Sequence, residues 1–514
     1  MAFAAAVALS VAASAAISDP VRLDSGMISG TSGSLSGVRV FKGIPFAAPP
    51  VGDLRWRAPQ PVKAWEGVRK ADQFGPMCMQ GGGRGGRGGR GGPAPRMSED
   101  CLYLNIWTAA ASSKDRRPVM VWIHPGGYTS GSGASPGTDG DALAQKGVVL
   151  VTINYRLGVF GFFSYPELTQ ESDRRGAGNQ AFMDQTAALR WVQKNIAGFG
   201  GDPKNVTVFG DSAGSASIAN LMASPQTKGL FRRAIGESGA WMGLSVTSMR
   251  SLADAEKAGT KTAESLNAHS LAELRALSAE KVLRAGRGGG PVIDGWFLPE
   301  DVGTIFAQGK QAGIPILVGS NQDEGTFFSR PTTADAWIKR AKQRFGDMAD
   351  QYLKLYPAGS DAQANASELA AFRDELGWVM RNWARLQTKT GKSKAYLYYF
   401  THQPPSTGAP SQNGFPARGS GATHGSEAQY VFQNLLGNRA WTPLDRQVSN
   451  TLSSYWVNFA ANGNPNGKGV SKWTAFNEKN NSRMVLGDEA AMGPGLSEDR
   501  VDFFQAWYDR LAKK

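Results

Sequence analysis

Cysteine and histidine are scarce in this chain of 514 residues, which has two cysteines and four histidines. No cysteine or histidine residues stand at the short spacings that bind zinc, so we expect neither a metal site nor a cofactor. The sequence also lacks internal repeats and any apolar run long enough to cross a membrane, since the apolar run at its first residues is too short. These absences exclude a zinc-stabilised fold, a repeat protein and an integral membrane protein.

Acidic residues are outnumbered, with 43 Asp+Glu against 56 Lys+Arg and a formal net charge of +13. This balance favours acidic partners or acidic small substrates, but it carries no information about fold. Arginine is concentrated in a Gly/Arg-rich segment at 81–96 that resembles RNA-binding tails in composition. The segment is internal, short and free of aromatic residues, so nucleic-acid binding is disfavoured and a loop insert is the better interpretation.

The N-terminal residues lack the basic region that usually opens a secretion signal, since the first positive charge is Arg22. Residues 3–16 are nevertheless apolar and small, and Ala13-Ser14-Ala15 resembles a cleavage site. We interpret residues 1–16 as a signal peptide with a truncated start; the alternative is an ordinary apolar segment. A secreted or periplasmic protein favours a disulfide between Cys78 and Cys101, which would enclose the Gly/Arg-rich segment.

Buried strands alternate with helical patterns along the rest of the chain. The segments 118–124, 147–155, 205–210 and 314–320 are short and apolar, and 179–200 has helical periodicity. This alternation predicts an α/β fold with a largely parallel sheet covered on both faces. A Gly/Pro/Ser-rich stretch at 403–421 is the one other linker-like segment, so we expect 17–514 to form a single domain.

The segment "VTVFGDSAGSASIANLMA" at 206–223 contains the G-x-S-x-G pattern between a strand and a helix. A serine on such a sharp turn takes a strained backbone conformation, and its neighbours two residues away must lack side chains. The N-terminus of the following helix would face a developing oxyanion. We therefore predict that Ser212 is a nucleophile.

A serine nucleophile needs a base, and the position of each histidine separates the candidates. His269 is predicted at a helix start or on the surface, and His402 at a strand end in a structural role. His424 lies among small residues in a loop downstream of Ser212, in the chain order Ser, acid, His. Its unperturbed pKa of about 6.5 predicts activity that rises with pH through that region.

The remaining parts of the site are predicted from loops that follow strands. "IPILVGSNQDEGTFF" offers Asp323 and Glu324 as the acid, and spacing does not choose between them. "HPGGYTSGSG" at 124–133 places Gly126 and Gly127 where bare N–H groups can approach a substrate oxygen, together with the N–H of Ala213. The alternatives are a solvated acidic loop and an ordinary glycine-rich turn.

Several segments together resemble the type-B carboxylesterases, which include cholinesterases and bacterial para-nitrobenzyl esterases. They are "FGGDPKNVTVFGDSAG" (199–214), "SEDCLYLNIW" (98–107), "FKGIPFAAPPVGDLRWRAPQP" (41–61), "NYRLGVFGFF" (154–163), "FRRAIGESGA" (231–240), "PVIDGWFLP" (291–299) and "YWVNFAANGNPN" (455–466). The resemblance extends from about residue 20 to the C-terminus. It implies an α/β-hydrolase fold with the active site in a gorge.

The resemblance also implies roles for individual residues. Ser212, Glu324 and His424 would be nucleophile, acid and base, and Ser238 would support the acid and the histidine. Further implied features are the oxyanion donors Gly126, Gly127 and Ala213, the Cys78–Cys101 disulfide, and Asp211 before the serine, where cholinesterases carry Glu.

Two departures from the family pattern restrict the function. Pro125 replaces the first of three glycines and has no N–H to donate. The stretch before "MSEDC" lacks the tryptophan that would bind a choline cation, so choline esters are disfavoured. We predict a secreted or periplasmic serine carboxylesterase acting through an acyl-enzyme; the alternatives are a lipase for longer chains and a non-catalytic binding relative.

Arginines near the predicted gorge mouth suggest a preference for anionic esters. Arg84, Arg87 and Arg90 lie in the Gly/Arg-rich segment, and Arg284 and Arg287 lie in a second stretch, "RAGRGGG". We expect these residues to form a positive rim that attracts anionic substrates. The alternative is a loop without function.

Overall fold

The computed structural model describes residues 17–81, 96–173, 176–240, 249–286, 288–408, 411, 415–437 and 439–511. The predicted signal peptide and four of the predicted rim arginines (Arg84, Arg87, Arg90 and Arg287) lie outside the described residues. Among the residues described, no helix has both the length and the apolar character needed to cross a membrane.

The strands, in chain order, are β1 (Val21–Arg22), β2 (Met27–Ser29), β3 (Thr31–Ser32), β4 (Arg39–Pro45), β5 (Val68–Lys70), β6 (Met77–Cys78), β7 (Met97–Ser98), β8 (Tyr103–Thr108), β9 (Arg117–Ile123), β10 (Val149–Ile153), β11 (Gly201–Asp211), β12 (Arg233–Glu237), β13 (Arg250–Ser251), β14 (Val292–Ile293), β15 (Ile316–Asn321), β16 (Ala395–Phe400), β17 (Ser482–Leu486) and β18 (Ala490–Pro494).

The α-helices are α1 (Asp141–Gln145), α2 (Gly158–Gly161), α3 (Pro166–Glu171), α4 (Gln180–Asn195), α5 (Ala213–Ala223), α6 (Leu252–Ser265), α7 (Leu271–Ala276), α8 (Ala279–Ala285), α9 (Val302–Ala307), α10 (Gly325–Phe328), α11 (Ala334–Phe345), α12 (Ala349–Leu355), α13 (Asp361–Lys389), α14 (Ser426–Val431), α15 (Pro443–Asn462) and α16 (Glu498–Leu511). Short 3-10 turns lie at Gly52–Leu54, Pro136–Thr138, Ile196–Phe199, Pro225–Thr227 and Gly346–Met348.

The central sheet has eleven strands among the described residues, in the order β18-β17-β16-β15-β12-β11-β9-β10-β8-β4-β3. The strands from β17 to β10 in this order pair in parallel. The strands at both margins pair antiparallel. The predicted largely parallel sheet is therefore confirmed, and each of the four predicted strands corresponds to an observed one.

Side chains that alternate along the central strands fill two separate cores. In β9, Val119 and Val121 point into one core, whereas Met120 and Trp122 point into the other. Helices α4, α5 and α13 cover the first face, and α15 covers the second with residues such as Trp456. Both faces of these strands are buried from solvent, which explains why apolar residues follow one another along their central parts.

The helix predicted over 179–200 is divided into two parts. Helix α4 ends at Asn195, a 3-10 turn follows at Ile196–Phe199, and Gly200 takes a left-handed conformation with φ 77°. A Cβ at Gly200 would also collide with Ala110. Gly200 therefore ends the helix, as expected, and allows the chain to enter β11.

Candidate active site

The candidate site lies where β9, β11, β12 and β15 end. These strands are neighbours in parallel pairing, so their carboxyl ends meet at one edge of the sheet. Loops at this edge of open α/β sheets commonly bind ligands. Ser212 follows β11 directly, and Glu324 follows β15 after two residues.

Ser212 occupies a strained turn between β11 and α5, with φ 57° and ψ −119°. A Cβ on Gly210 would lie 2.6 Å from the carbonyl oxygen of Ile123, and a Cβ on Gly214 would overlap the same atom. Only glycine fits at both positions, because the turn packs against the end of β9. The Ser212 N–H donates to the Glu237 carbonyl at 2.8 Å, which holds the turn in place.

His424 pairs with Glu324, as the family resemblance implied. The distance from His424 Nδ1 to Glu324 Oε2 is 2.7 Å, and the carboxylate is fully buried. The other ring nitrogen, Nε2, is buried and has no hydrogen-bond partner among the described residues. The structure thus forms the acid–histidine pair but no hydrogen bond from Ser212 to His424.

Two contacts fix the Glu324 carboxylate. Its Oε1 accepts from Ser238 Oγ at 2.6 Å and from the Asn321 backbone N–H at 2.8 Å. Ser238 therefore lies where the resemblance placed it. The sequence did not predict that Asn321 contacts the acid. Its position at the end of β15, three residues before Glu324, could have indicated this contact.

Asp323, the alternative acid, does not contact His424 in the described structure. Its Oδ2 accepts from the Ala422 N–H at 2.8 Å, and its own N–H donates to the Ala422 carbonyl at 2.9 Å. Thr326 Oγ1 donates to the Ser420 carbonyl at 2.9 Å nearby. These bonds align the segment that carries His424 with the segment that carries Glu324.

A second group of buried carboxyls surrounds the Ser212 turn. Asp211 lies next to the histidine segment, since a Cβ on Gly425 would lie 2.8 Å from Asp211 Oδ2. Glu237 accepts from Trp456 Nε1 at 2.7 Å, and Glu427 accepts from Asn321 Nδ2. The roles of Glu237 and Glu427 in this cluster were not predicted from the sequence.

Burial and mutual repulsion change the protonation of these groups. Burial raises the pKa of Asp211 to about 6, opposed by the charge of His424. Burial and the charge of Asp211 raise the pKa of Glu237 to about 8, and burial raises that of Glu427 well above its usual range. These shifts favour the neutral forms of Glu237 and Glu427, and Asp211 is the member of the group that most readily keeps its charge.

The pKa of His424 is raised, contrary to the unperturbed value expected from the sequence. Burial alone would lower it, but the charges of Glu324 and Asp211 and the hydrogen bond with Glu324 raise the pKa to about 9. The site therefore stabilises the imidazolium that would form when His424 accepts a proton.

The predicted oxyanion loop follows β9. Gly126 and Gly127 have φ 124° and 60°, and their N–H groups donate to no atom of the described residues. The N–H of Ala213, the first residue of α5, also lacks a helical acceptor. These donors remain available to a ligand, and their role as an oxyanion hole stays a prediction.

Two neighbours hold the oxyanion loop. His124 Nδ1 donates to the Pro125 carbonyl at 2.8 Å, and its ring stacks on Tyr155 at 4.2 Å. Burial lowers the pKa of His124 to about 4, so the ring is neutral. Gln80 bonds both the N–H and the carbonyl of Gly131, at 2.9 and 3.0 Å.

The Cys78–Cys101 disulfide is present, which confirms the predicted pair. The bond lies two residues from Gln80, so it fastens the segment that contacts the oxyanion loop. Arg284 is exposed in the last turn of α8. Its place in a positive rim stays a prediction.

Of the two remaining histidines, His402 has a structural role and His269 lies on the surface. His402 bridges Asp488 at 2.6 Å through Nδ1 and Asp445 at 2.9 Å through Nε2. His269 is exposed just before α7, and its backbone N–H donates to the Glu273 carboxylate. Both observations agree with the sequence interpretation.

The chain belongs to the carboxylesterase family, whose model matches residues 18–504. It is 38% identical over 501 residues to the fumonisin B1 esterase of Sphingopyxis macrogoltabida, covering 92% of this chain and 87% of that protein. It is 35% identical to the para-nitrobenzyl esterase of Bacillus subtilis, covering 90% and 94%. A solved PNB esterase structure, 33% identical, matches with a TM-score of 0.81 over 94% of this chain and 99% of that one. The protein is therefore an α/β-hydrolase and a serine hydrolase of the carboxylic-ester class.

Proposed function

We propose that this enzyme hydrolyses esters through an acyl-enzyme formed on Ser212. The observation that carries the proposal is the buried Glu324–His424 pair, whose free Nε2 lies in the same site as the strained Ser212 turn. Hydroxyl nucleophiles require a base oriented by a third group, and these residues supply that arrangement.

In the first half-reaction, His424 accepts the proton of Ser212 Oγ as this oxygen attacks the ester carbonyl. Glu324 holds the imidazole by Nδ1 and stabilises its positive charge. The bond to the alcohol oxygen then breaks, and His424 donates the proton to the leaving alcohol. Water repeats the sequence on the acyl-enzyme, which releases the acid and restores Ser212.

The tetrahedral oxyanion would be bound by the N–H groups of Gly126, Gly127 and Ala213. Because these donors have no partner among the described residues, no bond must break before they bind the oxygen. Pro125 contributes none, but its carbonyl binds His124 and so helps to position the next two residues.

We also propose that the enzyme acts in the periplasm or outside the cell. The apolar segment at 3–16 and the Cys78–Cys101 disulfide support this proposal, since disulfides persist in oxidising compartments.

A phosphorylating inhibitor tests the nucleophile. Diethyl 4-nitrophenyl phosphate should transfer one diethylphosphoryl group to the peptide that contains Ser212, and activity should fall in proportion to the labelled fraction. Peptide mass spectrometry locates the group, and enzyme unfolded before treatment is the control. A label on another residue at full inactivation would contradict the assignment.

A change of charge beside the histidine should move the pH profile. The base must be neutral, so kcat/KM should rise with pH around a pKa well above 6.5. Asp211 is charged in this range and favours the imidazolium, so Asp211→Asn should move the rise to lower pH by about one unit.

The control for this prediction is Asp323→Asn, which removes a carboxyl that does not raise the pKa of His424. Its profile should keep the wild-type midpoint. A profile of Asp211→Asn that stays in place or moves to higher pH would contradict the proposed coupling.

A further inference from the structure

Arg418 is an exposed cation close to the candidate base. It lies on the segment that leads to His424, and its guanidinium carbon stands 4.6 Å from the centre of the Phe327 ring. The centre of that ring is 5.6 Å from the centre of the His424 ring. The Phe327 ring therefore contacts both the guanidinium and the imidazole.

The guanidinium is held in this position by two contacts. Arg418 Nε donates to the Phe327 carbonyl at 3.1 Å, and the guanidinium carbon lies over the Phe327 ring. The neighbouring Gly419 N–H donates to the Thr326 carbonyl at 3.1 Å, which fastens the backbone to the same loop. The side chain is thus ordered before any ligand arrives, which lowers the entropic cost of binding.

Arg418 has no acidic partner among the described residues. Its one hydrogen bond is the contact with Phe327, which leaves the terminal Nη groups free. Asp323, the acidic residue of the adjoining loop, binds the Ala422 N–H instead. By contrast, two arginines of α11 are paired with acids: Arg340 with Glu368, and Arg344 with Glu375 at 2.6 Å. An unpaired guanidinium fork is suited to a carboxylate from outside the protein.

We infer that Arg418 is a specificity-determining residue that binds a free carboxylate on the substrate, and that the enzyme prefers anionic esters for this reason. The inference rests on the ester hydrolysis proposed above. Because Arg418 already covers the face of Phe327, this ring does not offer that face to a substrate cation. The same contact thus favours anions and disfavours cations.

Two substrates with one skeleton test the inference. Mono-4-nitrophenyl glutarate carries a free carboxylate, and methyl 4-nitrophenyl glutarate carries none. Arg418→Gln should lower kcat/KM for the anionic ester about tenfold, as expected for a partly solvated bond to a charged group, and change that of the neutral ester less than about twofold. Arg418→Lys keeps the charge and should retain an intermediate preference.

Arg190→Gln is the matched control. Arg190 is also exposed, and its one hydrogen bond within the described part of the chain goes to a backbone carbonyl, that of Gln226. This variant loses the same charge and the same kind of bond, so it should leave the preference for the anionic ester unchanged.

Salt provides a second test. The difference in kcat/KM for the anionic ester between Arg418→Gln and wild type should shrink at high salt.

Equal losses on both esters, no loss on either, or the same change in Arg190→Gln would overturn the role of Arg418. Such results would leave the proposed function intact if neutral hydrolysis still depended on Ser212. If neutral hydrolysis persisted in Ser212→Ala, the proposed function itself would be wrong.

Discussion

Ser212→Ala should lower kcat for ester hydrolysis by about four orders of magnitude or more, because loss of the nucleophile removes the acyl-enzyme route. The fold should be retained. The Ser212 hydroxyl is not needed for the turn, which is held by its backbone N–H on the Glu237 carbonyl and by Gly210 and Gly214 against β9.

The measurement is kcat on a neutral nitrophenyl ester, with the thermal midpoint of unfolding as a test of folding. Ser217→Ala is the control, because Ser217 lies buried in the same helix and accepts a hydrogen bond from Gln185 Nε2. It should lose some stability but keep kcat within about a factor of three. A folded Ser212→Ala enzyme with near-wild-type turnover would exclude Ser212 as the nucleophile.

The parts of the site that depend on local sequence were predictable. The turn at Ser212 needs glycine at two fixed positions, so its geometry is visible in a short motif. The strands that end at the site carry mostly apolar residues in their buried parts, because both faces of the sheet are covered. These features follow from the chain itself, with no information from distant residues.

Contacts across the sequence were predictable only through the family resemblance or not at all. The Glu324–His424 hydrogen bond joins residues 100 positions apart. The residues alone left Asp323 and Glu324 equivalent. Adjacent side chains point in different directions, and the sequence does not show which of the two faces the imidazole. The raised pKa of His424 depends on Asp211, which is brought near by the fold. Arg418 was overlooked, because nothing in its sequence neighbourhood shows that Phe327 lies beneath it.

The acid should be Glu324 and not its neighbour. Glu324→Gln should lower kcat by about 10³–10⁴, because a neutral amide neither stabilises the imidazolium nor maintains the tautomer with the proton on Nδ1. The Gln side chain can still accept from Ser238, so the loop should stay folded. The pH at which remaining activity rises should also fall, since the charge that raises the pKa of His424 is gone.

Asp323→Asn should cost less than about tenfold in kcat, because the Asn carbonyl oxygen can still accept the Ala422 N–H that aligns the histidine segment. Its effect should appear mainly as a lower thermal midpoint, and Asp323→Ala should lower it further by leaving that N–H without an acceptor. Comparing kcat, the pH profile and the thermal midpoint in these variants separates a group that acts on His424 from one that positions its loop. If Asp323→Asn lost more kcat than Glu324→Gln, with both folded, the hydrogen bond between Glu324 and His424 would not be the one that catalysis uses.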